Sequence, residues 1–106
     1  MVLVPPICRI ALGAYPTPVQ RVEALSTSRA TLWVKRDDLS SPIYGGNKVR
    51  KLEFLLGAAR AAGRSKVVTI GAAGSHQVVA TAVFGKRHGF AVEAILVPQP
   101  SSPEAR

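Results

Sequence analysis

Two short stretches carry side chains able to do chemistry. "GGNKVRK", residues 45–51, places two glycines and an asparagine directly before Lys48. "GAAGSHQ", residues 71–77, places a small-residue turn before Ser75, His76 and Gln77. If Asn47 caps a helix, Lys48 stands at its mouth, where free amides point outward with partial positive charge. That field, with Arg50 and Lys51 nearby, disfavours the ammonium and favours a neutral, nucleophilic amine. Such an amine condenses with an aldehyde to form a Schiff base. Lys51 lies three positions on, along the same helix face, so an anion tethered to that aldehyde meets a second cation and the helix N-terminus together. The plainer alternative is a lysine in the first turn of a surface helix behind a flexible Gly-Gly hinge.

The second stretch reads as a strand-to-helix turn whose exposed amides suit a phosphate or a carboxylate. It is neither a dinucleotide fingerprint, since GxGxxG is absent, nor a P-loop, since no Gly-Lys-Ser/Thr follows. Ser75, His76 and Gln77 then project towards the C-terminal edge of a sheet, where open α/β folds bind ligands. Equally, Ser75 is simply a cap and His76 a solvated first-turn residue. "KRDD", Lys35 to Asp38, reads as an ion-paired loop that anchors the segment leading to Lys48. An aldehyde that carries a phosphate is a description of pyridoxal phosphate.

The elements needed to position these groups are legible in the pattern. "YPTPVQRVEAL" reads as an extended entry and a short helical run, and "ATLWVKRDDL" as a short strand. From Asn47, Val49, Leu52, Leu55, Leu56 and Ala59 recur at helical spacing up to a stop at Gly63. "KVVTIG" predicts a buried parallel strand, His76 to His88 a second helix ending at Gly89, and "AVEAILV" a further strand. The polar, proline-rich "PQPSSPEAR" follows. Strand, helix and strand with short connections imply an α/β fold with a parallel sheet. Only three clear strands are available to it, and another helix is expected after the last one, so the chain is expected to be part of a longer protein.

Composition narrows the classes. The 106 residues suffice for one small domain, and 47% apolar residues with a mean hydropathy of +0.19 mark a globular chain. A single cysteine, Cys8, excludes an internal disulfide framework, and no Cys/His cluster suggests a metal. The opening residues lack a basic n-region, and the longest uncharged run, Val67 to Gly85, is broken by polar residues. A cytoplasmic protein without a membrane partner is the expectation. A net charge of +8 invites acidic partners, but only 6% of residues are aromatic and they do not interleave with the basic ones. Nucleic-acid binding is the minor alternative.

The four segments "YPTPVQRVEAL", "LWVKRDDL", "GGNKVRKLEFLL" and "IGAAGSHQVVATA" resemble, in order and spacing, the D-cysteine desulfhydrase and 1-aminocyclopropane-1-carboxylate deaminase family. The resemblance covers residues 15 to about 98. It implies a fold-type II, tryptophan-synthase-β-like, three-layer α/β architecture. Residues 1–46 would belong to a larger domain and 47–106 to part of a smaller one, the whole being truncated relative to the family. It implies pyridoxal 5'-phosphate as cofactor, a small amino acid as substrate, a 2-oxo acid and ammonia as products, and a homodimer. By position, Lys48 would hold the cofactor as a Schiff base, Lys51 would help bind its phosphate, and Asn47 would lie beside it. Ser75 would face the substrate and assist proton transfer, with Gln77 near the substrate carboxylate. His76 stands where the family usually has asparagine, offering the cofactor's ring hydroxyl a hydrogen bond of different reach and titration. A catalytically silent fragment or assembly subunit of such an enzyme is the alternative.

Overall fold

The computed structural model describes residues 6–100 and residue 103. The first five residues and most of the expected polar end after residue 100 lie outside them. Strand β1 (Val19–Arg21) pairs antiparallel with β2 (Trp33–Lys35), with Gln20 opposite Val34. The expected helical run before β2 is a single 3-10 turn, Glu23–Leu25, and part of that stretch is β1 itself. Pairing with β2 supplies β1 with backbone partners that an isolated short helix lacks.

Beyond a second 3-10 turn (Asp37–Leu39) and a loop come α1 (Lys48–Ala61), β3 (Lys66–Ala72), α2 (His76–Arg87) and β4 (Ala91–Val97). Gly63 and Gly89, at φ +67° and +84°, take the left-handed conformation that ends each helix. β3 and β4 are parallel, with Val67 opposite Val92 and Ile70 opposite Ile95, so α2 is their crossover. The α/β class and the parallel sheet are as the sequence implied. Among the described residues that sheet has two strands.

Helix α1 packs on α2, and α2 on both strands. Val49, Leu52 and Leu56 of α1, Ala80 and Phe84 of α2, and Phe90 form the core, joined by Ile10 and Leu12 from the leading segment. Leu55, which the helical spacing assigns to the buried stripe, is exposed. A residue that the spacing leaves outside the stripe, Glu53, is buried instead. Its carboxylate accepts the Leu12 and Gly13 amides at 2.9 and 3.0 Å and pairs with Arg9. The Ile10 amide donates to the Glu53 carbonyl at 3.0 Å. Residues 9–13 are thus tied to α1 at both main chain and side chain.

No helix among the described residues is long and apolar enough to cross a membrane.

Candidate active site

The loop before Lys48 is built around Asp37. Arg50, one turn into α1, donates to its carboxylate through Nε at 3.0 Å and Nη2 at 2.7 Å, and the Thr17 hydroxyl donates at 2.7 Å. The Arg50 guanidinium, then the Thr17 hydroxyl, hold the Asp37 carboxyl far below the usual carboxylate range against the opposing effect of burial. Its neighbour Asp38 pairs with Arg36 instead. Asp37 therefore anchors the loop to the helix, and the Asp38–Arg36 pair makes the segment ion-paired, as the sequence suggested. The same geometry corrects another expectation: the charge of Arg50 is matched by Asp37, with its guanidinium 4.4 Å from the Tyr15 ring, so it does not act on Lys48 as a free cation.

The two glycines are a packed turn, not a hinge. The Gly46 amide donates to the Asp37 carbonyl and its carbonyl accepts the Ser40 hydroxyl, both at 2.8 Å. Gly46 sits at φ +112°, and a Cβ on Gly45 would lie 1.9 Å from the Asp38 carbonyl oxygen. These contacts aim the chain into α1. Asn47 occupies the cap position with helical backbone angles (φ −70°, ψ −17°) and makes no side-chain cap bond. Capping by its side chain, assumed from sequence, does not occur, because the turn behind it already sets the helix start.

Tyr44 through Lys48, with Asp38 and His76, line a cavity of about 600 Å³. Lys48 enters it as the first residue of α1, and His76 as the first residue of α2. The Tyr44 hydroxyl lies 2.7 Å from His76 Nδ1, joining loop to helix across 32 positions of sequence. Asn47, Lys48 and His76 are therefore brought together. Ser75, itself half-buried, precedes His76 and closes the turn with its own amide on the Ala72 carbonyl at 2.9 Å. Its side chain packs over Gly71, where a Cβ would stand 2.9 Å from Oγ, and it makes no cap bond to α2. The hydroxyl is not committed to capping.

Lys51 is exposed and Gln77 turns elsewhere. Gln77 donates to the Thr81 hydroxyl at 3.1 Å and lines a separate cleft with Leu52, Leu55 and Leu56. Neither lines the cavity that holds Lys48. Sequence reasoning passed over Tyr44 and Asp38 as cavity residues. The one available signal was an aromatic residue directly before the Gly-Gly turn.

Residues 10–106 match the family described as "Pyridoxal-phosphate dependent enzyme". Over 91 residues the chain is 50% identical to nocardicin C-9' epimerase of Nocardia uniformis subsp. tsuyamanensis, aligning 86% of this chain with 27% of that protein. It is 44% identical over 89 residues to a putative 1-aminocyclopropane-1-carboxylate deaminase of Pyrococcus abyssi, and 37% identical over 89 residues to D-cysteine desulfhydrase of Salmonella paratyphi B. Each of those alignments covers 83% of this chain and 27% of the relative. A solved structure of an ACC deaminase homologue superposes with a TM-score of 0.81 at 36% identity, over 90% of this chain and 30% of its own. The chain spans 27% of the length of the curated relatives it matches.

Proposed function

Because the chain belongs to the pyridoxal-phosphate dependent enzymes, we propose that it carries the cofactor-anchoring part of an enzyme acting on a small amino acid. The observation that carries this reading is Lys48. It stands at the first position of α1 and lines a cavity of about 600 Å³ with Tyr44 and His76. That volume lies in the range of about 300–1,000 Å³ usual for small-molecule sites. A primary amine, a helix N-terminus and two ring side chains suit an aromatic aldehyde that bears an anion.

In this reading Lys48 is the residue to which pyridoxal phosphate attaches, with Asn47 and His76 beside it and Lys51 as a phosphate partner from the solvent side of α1. When bound, the cofactor supplies an electron sink for the bond broken at the substrate. The protein's part is proton handling and orientation. Nζ of Lys48 would take and return a proton at the substrate, from the α-carbon of a cysteine-type amino acid or from a ring methylene of a cyclopropane one, which has no α-hydrogen, and the uncommitted Ser75 hydroxyl would assist. Gln77 is the proposed partner of the substrate carboxylate, which requires release from Thr81.

Two outcomes for the substrate have support. Elimination or ring opening of a D-cysteine- or 1-aminocyclopropane-1-carboxylate-type amino acid, yielding a 2-oxo acid and ammonia, is supported by likeness to deaminases and a desulfhydrase. Delivery of a proton to the opposite face of the α-carbon, with only the C–H bond broken and remade, is supported by 50% identity to an epimerase. Substrate turned over in deuterated water separates them: a 2-oxo acid and ammonia mark the first, recovered deuterated amino acid of inverted handedness the second. A homodimer in the cytoplasm completes the proposal.

The anchoring claim is tested by borohydride reduction in the presence of pyridoxal phosphate. A covalent adduct on the peptide containing Lys48, lost in Lys48→Ala, is expected. An adduct that persists at equal yield in Lys48→Ala sinks the assignment.

A further inference from the structure

Tyr44 and His76 meet across the mouth of the cavity that Lys48 enters, with Oη 2.7 Å from Nδ1. Such a contact has two polarities: the phenol donates to a bare Nδ1, or a protonated Nδ1 donates to the phenol oxygen. A phenol is a far stronger acid than a neutral imidazole N–H, which favours the first. Among the described residues Nδ1 is the ring nitrogen with a hydrogen-bond partner and Nε2 has none, on a ring that lines the cavity. The loop carrying Tyr44 is itself held, by Gly46 on the Asp37 carbonyl and by the Ser40 hydroxyl on the Gly46 carbonyl.

We propose that Tyr44 is a positioning residue that fixes the tautomer and ring orientation of His76. With the phenol donating to Nδ1, the ring proton resides on Nε2, and His76 offers the cavity a neutral N–H donor. The ligand group it suits is an acceptor oxygen, such as the ring hydroxyl or phenolate of a 3-hydroxypyridine. This choice of ligand rests on the cofactor reading above, whereas the tautomer does not. Without Tyr44 the ring divides between tautomers, and the fraction with a bare Nε2 presents a lone pair to that oxygen.

Two-bond proton–nitrogen NMR spectra of the cofactor-free protein at pH 8 test the tautomer directly. With only two histidines in the chain, His76→Asn assigns the signals, and His88 serves as an internal control for folding. Protonation at Nε2 in the wild type and a mixture in Tyr44→Phe, with His88 unmoved, is the expected result. Protonation at Nδ1 in the wild type, or a His76 signal indifferent to Tyr44→Phe, overturns the proposal.

Calorimetry with pyridoxine 5'-phosphate, which lacks the aldehyde and cannot bond to Lys48, tests the consequence. Tyr44→Phe is expected to weaken binding about two- to tenfold, the worth of one neutral hydrogen bond. In a His76→Asn background, whose amide donor needs no orienting phenol, the same change is expected to have little effect. Equal losses in both backgrounds overturn the positioning role, because they assign Tyr44 an independent contact. Absence of any binding, with the tautomer as expected, overturns the cofactor reading and leaves the positioning role supported by the spectra.

Discussion

Glu53 is 2% exposed, yet its carboxyl stays below the usual carboxylate range. Burial pushes it up, and the Leu12 and Gly13 amides with the Arg9 guanidinium outweigh that push. Removing the carboxylate strands two backbone amides and a cation. Glu53→Ala is therefore expected to cost about 3 kcal/mol in urea unfolding, and Glu53→Gln, which keeps one acceptor, distinctly less. The direction of the shift also sets the acid limit. A carboxyl depressed in the folded state contributes stability above its unfolded value, about pH 4, and loses it as pH falls towards the folded value. Asp37 behaves alike, so unfolding followed from pH 6 to pH 2 should show a steep loss that becomes shallower in Asp37→Asn. None of this was legible in "RKLEFLL", where Glu53 looks like part of a solvated face. Its partners lie about 40 residues upstream, and helical periodicity says nothing about such distances.

At the level of elements, glycines decide where helices begin and how closely they pack. Gly46 holds φ +112°, so Gly46→Ala is expected to cost about 1–3 kcal/mol and to disturb the aim of α1. The readout is loss of stability together with slower formation of the proposed Lys48 adduct. Gly85 faces the sheet, and a Cβ there would lie 2.7 Å from the Val92 Cγ2. Gly85→Ala should destabilise by about 1–3 kcal/mol, and Val92→Ala in the same chain should return part of that loss despite being a truncation. A purely additive double variant would disprove the close approach. The helices and the strands β3 and β4 were readable because each announces itself locally, through apolar period and a terminal glycine. β1 was not, since three exposed residues acquire strand geometry only from β2. The cavity was half readable: Lys48 and His76 stand at helix starts visible in sequence, whereas Tyr44 depends on how the loop folds back.

At the largest scale, among the described residues the two-stranded parallel sheet is covered on one face only, by α2. Val67 and Val92 approach α2 at Gly85, so alternation places Val68, Ile70, Ile95 and Val97 on the other side, where they are exposed. Ile70 and Ile95 are paired in register and 64% and 50% exposed. Parallel sheets are normally buried on both faces, so this strip is expected to drive self-association of the chain when it stands alone. Ile70→Lys with Ile95→Lys should lower the light-scattering mass while leaving far-UV circular dichroism unchanged. A mass unaffected by both lysines would mean that association uses another surface. The clasp between Glu53 and the leading segment has a consequence during synthesis. At about 5–20 residues per second, residues 9–13 leave the ribosome a few seconds before Glu53 does. Nascent chains arrested before and after Glu53 has cleared the exit tunnel should therefore differ in protease resistance at those residues. For that interval residues 9–13 wait for a carboxylate still inside the ribosome.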